Sequence, residues 1–289
     1  CLVREDTRGL DGLDVELIDA FSCVGTFFNA DKEDKLKDIL QSVILQATSR
    51  TTCQVNLLDI HGNPTETNVN MTFYDKETGY ITNNFVHTMN SRGNPDTLEL
   101  SPNIKYKIDV HTIPKVTIDH AKIIPGKHNI ISADAPQGTL LIREETTDKY
   151  KHVKAVIKKA GDCKILNVQS FSVPEKYIVG NYDLEILTLP RLYYPNLEIR
   201  QSKTTLIKVP QPGMVTIVLP AKGYASLYLK NREHLTWLCN INHTQREVLY
   251  LQPGTYFVVY RSENMKRSKF TVTKSFEVIS GRSEYVEMK

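Results

Sequence analysis

Three histidines, His111, His120 and His128, lie close together in the chain, and neutral imidazole is a common ligand for transition metals. Their setting argues against a metal site. His111 takes an outward position in an alternating segment, and the other five of the eight histidines are scattered. Three solvated imidazoles is the stronger reading. The five cysteines, Cys1, Cys23, Cys53, Cys163 and Cys239, are odd in number and widely spaced. That pattern fits neither a disulfide framework nor a zinc site. Cys163 and Cys239 are expected to be small core residues. Among the carboxylates, Asp14, Glu16 and Asp19 read as the polar face of a helix. Asp31, Glu33 and Asp34 read as a helix start, where acidic groups complement the dipole.

Catalytic spacings are missing from the sequence. It contains no Gly-x-Ser-x-Gly elbow, no Gly-x-x-x-x-Gly-Lys loop and no His-Glu-x-x-His pair. No catalytic or metal residue is assigned, and the chain is read as non-enzymatic. Stacking on aromatic rings is the other chemistry worth seeking. Tyr193 and Tyr194 lie between Pro190 and Pro195, where a loop is expected, and they are the candidate ligand contact. Trp237, the only tryptophan, alternates with Leu235 and Cys239, so it is expected to face a core. The basic cluster Arg261, Lys266, Arg267 and Lys269 reads as a solvated hairpin loop, not an anion site.

The elements that carry these residues repeat. Gly180-Asn-Tyr-Asp-Leu-Glu-Ile186 is followed by Leu197-Glu-Ile199, a turn at Ser202-Lys203, and Thr205–Val209. Gly254-Thr-Tyr-Phe-Val-Val-Tyr260 is followed by Phe276–Val278, a turn at Ser280-Gly281, and Tyr285–Met288. Asn103–Val110 is followed by Lys122–Ile124, a turn at Pro125-Gly126, and Asn129–Ser132. Tyr106, Tyr182 and Tyr256 therefore recur about every 75 residues, which implies repeated domains with these tyrosines in their cores. Period-two alternation marks half-buried strands, expected to be antiparallel. In the third copy the outward positions are Phe257 and Val259, so that strand is expected to be covered on both faces. The glycine two residues before the tyrosine suits a positive φ. The first copy lacks it and is one residue longer, so its turn must differ.

The 289 residues suit two or three domains. The net charge of +3 divides unevenly: residues 1–50 hold six basic and ten acidic side chains, and residues 211–289 hold eleven and six. This is too weak and diffuse for nucleic acid. No apolar run approaches the ~20 residues of a membrane helix.

Residues 1–50 differ in kind. Leu13, Leu17, Ile18 and Phe21 share one helical face, Gly25–Asn29 reads as a strand, and Leu36, Ile39, Leu40, Val43 and Ile44 trace a second helical stripe. Such a half-domain cannot bury its sheet alone, so residue 1 is expected to lie inside a domain whose earlier part precedes it. Ala20-Phe-Ser-Cys-Val-Gly-Thr-Phe-Phe-Asn-Ala30, with the helix after it, resembles the end of a von Willebrand factor type A (VWA) domain. That family binds a divalent cation through residues that precede this stretch, so the resemblance implies no cofactor here. Val55–Pro64, then Val69–Asp75 and Thr78-Gly79, are similar to prealbumin-like sandwiches such as Cna-B modules. Together these features resemble bacterial (Bacteroidetes-like) VWA proteins with C-terminal β-domains. The expected architecture is mainly β: a truncated α/β segment at 1–50, then three tandem antiparallel β-sandwich (prealbumin/Ig-like) modules at 51–132, 133–210 and 211–289. The resemblance implies an extracytoplasmic binding or scaffold protein whose partner is another protein. An array of glycan-binding modules is the alternative.

Overall fold

The computed structural model describes residues 50–289 apart from 146, 147, 151 and 243–245. Of residues 1–49 it describes Lys37, Leu40, Gln41 and Ile44, all helical. Apart from those four, the segment read as the end of a VWA-like domain lies outside the described residues.

Three sets of seven strands follow one another. The first is β1 (Thr52–Leu58), β2 (Val69–Asp75), β3 (Ile81–His87), β4 (Thr97–Glu99), β5 (Tyr106–Val110), β6 (Val116–Ala121) and β7 (His128–Asp134). The second is β8 (Gln137–Glu144), β9 (Lys154–Lys159), β10 (Ile165–Ser170), β11 (Glu175–Ile178), β12 (Gly180–Ile186), β13 (Leu192–Ile199) and β14 (Thr204–Val209). The third is β15 (Gly213–Val218), β16 (Gly223–Asn231), β17 (His234–Ile241), β18 (Arg246–Leu251), β19 (Gly254–Ser262), β20 (Val272–Val278) and β21 (Ser283–Glu287). Each set pairs in the same way. The three-stranded sheets run β4-β1-β7, β11-β8-β14 and β18-β15-β21. The four-stranded sheets run β3-β2-β5-β6, β10-β9-β12-β13 and β17-β16-β19-β20. Tyr106, Tyr182 and Tyr256 thus occupy the equivalent strand of each set.

The alternation read from the sequence produces the cores. On β1, Cys53, Val55 and Leu57 are buried while their neighbours are half-exposed. In the second set, Leu140, Ile142, Tyr177 and Val209 of the smaller sheet meet Ile157, Tyr182, Leu184 and Ile199 of the larger. In the third, Val215, Ile217, Leu251 and Val286 meet Leu227, Tyr256, Val258 and Phe276. Each such large side chain contributes about 1.5–3 kcal/mol through burial, and the two sheets of a set enclose one core.

The pairing is not antiparallel throughout. β1 with β7, β8 with β14, and β15 with β21 are parallel. The turn after β6, β13 or β20 is therefore no hairpin. It crosses from the larger sheet to the smaller, so the last strand arrives alongside the first in the same direction. A left-handed residue stands at each of these crossings: Gly126 (φ 66), Ser202 (φ 54) and Gly281 (φ 70). The Tyr-minus-two glycine is more mixed. Gly180 has φ 155, whereas Gly254 is not among the positive-φ glycines. A Cβ at Gly254 would only reach ordinary contact with Leu229 and Tyr256 at 3.5 Å.

The chain divides into two compact units. One holds residues 50–58, 63–111 and 117–134; the other holds the described residues of 59–62, 112–116 and 135–289. No helix among the described residues is long and apolar enough to cross a membrane.

Candidate functional site

Tyr182 and Tyr256 do more than fill cores. Each hydroxyl donates 2.6 Å to the backbone carbonyl four residues earlier, Ile178 and Gln252 respectively. Burial raises both phenol pKa values, that of Tyr182 to about 12. Tyr106, in the copy with the extra residue, instead accepts 3.1 Å from the Ser101 amide five residues back.

The anchored residues are sockets. The Ile178 amide donates 2.7 Å to the Ile113 carbonyl, and the Gln252 amide donates 2.8 Å to the Leu189 carbonyl. Ile113 packs against the core of the second set and Leu189 against that of the third. Both carbonyls come from the same motif. Thr112-Ile-Pro-Lys115 and Thr188-Leu-Pro-Arg191 each begin six residues after the repeat tyrosine. In each, the threonine hydroxyl donates 2.7 Å to the proline carbonyl, and the X-Pro bond is cis. Gln252 is tied a third time, through its side-chain amide to the buried Tyr150 hydroxyl. The residues of this loop and socket were missed in the sequence reading. The visible signal was the Thr-(Ile/Leu)-Pro-(Lys/Arg) repeat after the first two tyrosines, absent after the third, where Ser262-Glu-Asn stands.

The aromatic candidates trade places. Tyr193 and Tyr194 lie on β13, an edge strand, not in a loop. Strand alternation separates them: Tyr193 is 65% exposed, while Tyr194 is half-buried against the core. The Tyr193 hydroxyl donates 3.3 Å to Glu185, which also holds Arg191 at 2.7 Å and Lys158 at 4.0 Å.

Trp237, expected in a core, is 55% exposed, and Leu235 is 53% exposed. The cause is a register shift: Leu227 pairs with Cys239, but Tyr228 pairs with Trp237. The extra residue, Leu238, reverses the alternation, since a one-residue slip moves every later side chain to the other face. Cys239 stays against the core and Trp237 turns outward. Tyr228 pairs in turn with Phe257, and Phe257 with Ser275. Trp237, Tyr228, Phe257 and Ser275 therefore form one row across the outer face of the β17-β16-β19-β20 sheet. Phe257 and Val259 are half-exposed there, so the strand is not covered on both faces as expected. Lys230 sits 5.4 Å from the Phe257 ring centroid and Arg261 5.7 Å from that of Tyr224.

The other candidates resolve singly. His111 bonds Thr72 at 2.7 Å, His120 bonds Lys76 at 3.0 Å, and His128 bonds Thr52 at 3.0 Å. No group of three or more metal-ligating side chains occurs among the described residues. Cys163 is exposed, against expectation. It falls in the turn before β10, four residues short of Asn167, which pairs with Ile157 as Cys239 pairs with Leu227. Cys53 is buried, and burial raises its thiol pKa to about 11. Lys266, Arg267 and Lys269 are exposed in the segment after β19, whereas Arg261, expected in the same loop, lies on β19 itself against the Tyr224 ring.

No family model matches the chain, and no curated protein matches it. Among solved structures it is similar to the Bacillus anthracis TIE protein at 11% identity and TM-score 0.23, covering 83% of this chain and 50% of that one. It is similar to GBS52, the minor pilin of Streptococcus agalactiae, at 12% identity and TM-score 0.26, covering 56% and 94%. BcpA, the major pilin subunit of Bacillus cereus, is similar at 8% identity and TM-score 0.21, covering 83% and 98%. The chain thus spans half the length of the first of these. Likenesses this weak assign no residue a role.

Proposed function

We propose that the chain is a non-enzymatic, extracytoplasmic binding and scaffold protein in which residues 51–132, 133–210 and 211–289 act as tandem spacer modules. The observation that carries the reading is the repeated loop-and-socket contact, with Leu189 entering the third core and Gln252 receiving it. A fixed junction is what a spacer needs, because modules joined only through the Pro210-Gln-Pro-Gly213 segment would move independently. The extracytoplasmic location, a VWA-like domain around residues 1–50 and a protein ligand rest on the sequence resemblance. A glycan ligand is the second reading, favoured by the exposed Trp237 row.

The test is rotational motion in the full chain. By NMR relaxation, residues 137–209 and 213–287 should tumble as one body. Leu189→Asp combined with Gln252→Ala should separate their correlation times and open the Pro210–Gly213 segment to protease. Independent tumbling of the unaltered chain would end the spacer reading.

A further inference from the structure

We propose that the outer face of the β17-β16-β19-β20 sheet is a binding platform for an acidic polysaccharide. This deepens the reading of the chain as a non-enzymatic binding protein and rests on it. Trp237, Tyr228 and Phe257 stand in adjacent strands of one row. Strands lie about 4.8 Å apart, close to the rise of one pyranose in an extended glycan, so successive rings can stack on successive sugars. The C–H face of a pyranose is apolar and slightly positive, and an aromatic ring presents a negative face to it.

The rows on either side supply short hydroxyl and amide groups. Ser226 pairs with Val259 and Asn240, Val259 pairs with Thr273, and Thr255 lies opposite Lys230. These groups suit sugar hydroxyls at the edges of a stacked chain. The Ser226 hydroxyl already donates 2.8 Å to the Asn240 carbonyl oxygen, which leaves the Asn240 amide hydrogens directed elsewhere.

Charge selects the class of polymer. Lys230 lies at one end of the row pattern and Arg261 at the other, and each stacks on a ring of this face. Among the described residues neither forms an ion pair with a carboxylate. A groove lined by Lys230, Asn231, Arg232, Glu233 and His234 adjoins the Lys230 end. Glu277, opposite Thr255 on β20, is the carboxylate of the paired rows. Residues 211–289 as a whole hold eleven basic against six acidic side chains. A uronate or sulfate in register with Lys230 or Arg261 meets a cation, and a neutral polymer does not.

Tyr224 to Lys230 spans about 20 Å along the strand and the four strands about 14 Å across, a footprint that matches a few consecutive sugar rings.

Because Trp237 is the only tryptophan, its emission reports on this face alone. The full chain is titrated with polygalacturonate and, separately, with its methyl-esterified form, which has the same backbone without the charge. The expected result is a saturable change in Trp237 emission and retarded migration in gels carrying polygalacturonate, both weaker by at least tenfold with the ester. Phe257→Ala and Tyr228→Ala should each weaken binding tenfold or more with unchanged circular dichroism. Lys230→Gln with Arg261→Gln should abolish the preference for the acid form. No emission change with polygalacturonate, or equal binding of the ester, overturns the proposal. So does an emission change that follows protein concentration alone, which would mark a second copy on the face. Release of reducing ends from the polymer would instead overturn the non-enzymatic reading beneath it.

Discussion

The second and third sandwiches have the same wiring and opposite outer faces. The central strands β12 and β19 present matched inward residues: Tyr182, Leu184 and Ile186 against Tyr256, Val258 and Tyr260, all buried. Outward, β12 shows Asn181, Asp183 and Glu185, whereas β19 shows Thr255, Phe257, Val259 and Arg261. On the β12 face Glu185 gathers Arg191 and Lys158. On the β19 face aromatic rings gather Lys230 and Arg261. The inward set is fixed by packing and is shared. The outward set is free of that constraint, so it is where two copies of one fold can diverge in function.

If the interiors are equivalent, removing the repeat tyrosine should be equally costly in both. Tyr182→Ala and Tyr256→Ala are each expected to cost about 3–5 kcal/mol. Hydrogen exchange in urea, resolved to each sandwich, measures this. A difference larger than about 2 kcal/mol would break the equivalence.

The hydroxyl anchor is a smaller shared term. Tyr182→Phe and Tyr256→Phe each orphan a carbonyl and should cost about 1–2 kcal/mol. The Tyr182 pKa is raised by burial from 10.0 to about 12. A raised folded-state pKa gives stability that is fully present below pH 10 and is lost as pH climbs toward 12. Tyr182→Phe should therefore flatten the alkaline fall in stability of the second sandwich, and an unchanged slope would reject the raised pKa of the buried phenol.

The outer faces should part company under milder change. Phe257→Ala is expected to cost about 1 kcal/mol or less in folding while removing the proposed polysaccharide binding. On the charged face, Glu185→Gln should weaken the hold on Arg191 and Lys158 only at low salt, since screening removes such terms. An effect on folding that persists in high salt would show that the β12 face is not mainly electrostatic.

Asp183 sharpens the contrast within one strand. Alternation puts it outward, which suggests a side chain of no consequence. Its two oxygens instead accept the Asn196 amide at 2.8 Å and the Gly161 amide at 3.0 Å. Those bonds, Asn196 first, lower its pKa. A depressed folded-state pKa gives stability present above the ordinary value of 3.8 and lost as pH falls below it. Asp183→Asn should shift the acid unfolding limb of the second sandwich, and an unmoved limb would mean the two bonds do not matter.

Much of this was legible in the residues. Period-two alternation and the 75-residue spacing gave the strands, their faces and the equivalence of the tyrosines, because burial of one face writes itself directly into sequence. Two things were not legible, for one physical reason each. The Leu238 bulge turned Trp237 outward, and an inserted residue has no local signature when both neighbours are apolar. The crossing turns at Gly126, Ser202 and Gly281 look like hairpins in sequence. Only the pairing of β7, β14 and β21 with strands more than 60 positions earlier shows that they change sheets. The loop-and-socket contact was written plainly as Thr-Ile-Pro and Thr-Leu-Pro, but its meaning depends on the carbonyl it offers to another module.

That contact also makes the second copy interchangeable as a part. It carries an amide that donates, that of Ile178, and a carbonyl that accepts, that of Leu189, on either side of the same tyrosine strand. A duplicated copy of residues 133–210 would bring its own Ile178 amide and its own Leu189 carbonyl, the two groups this contact uses. The array can lengthen by whole increments, much as a chain accepts another link, while the aromatic face stays confined to the copy that lacks the Thr-x-Pro loop.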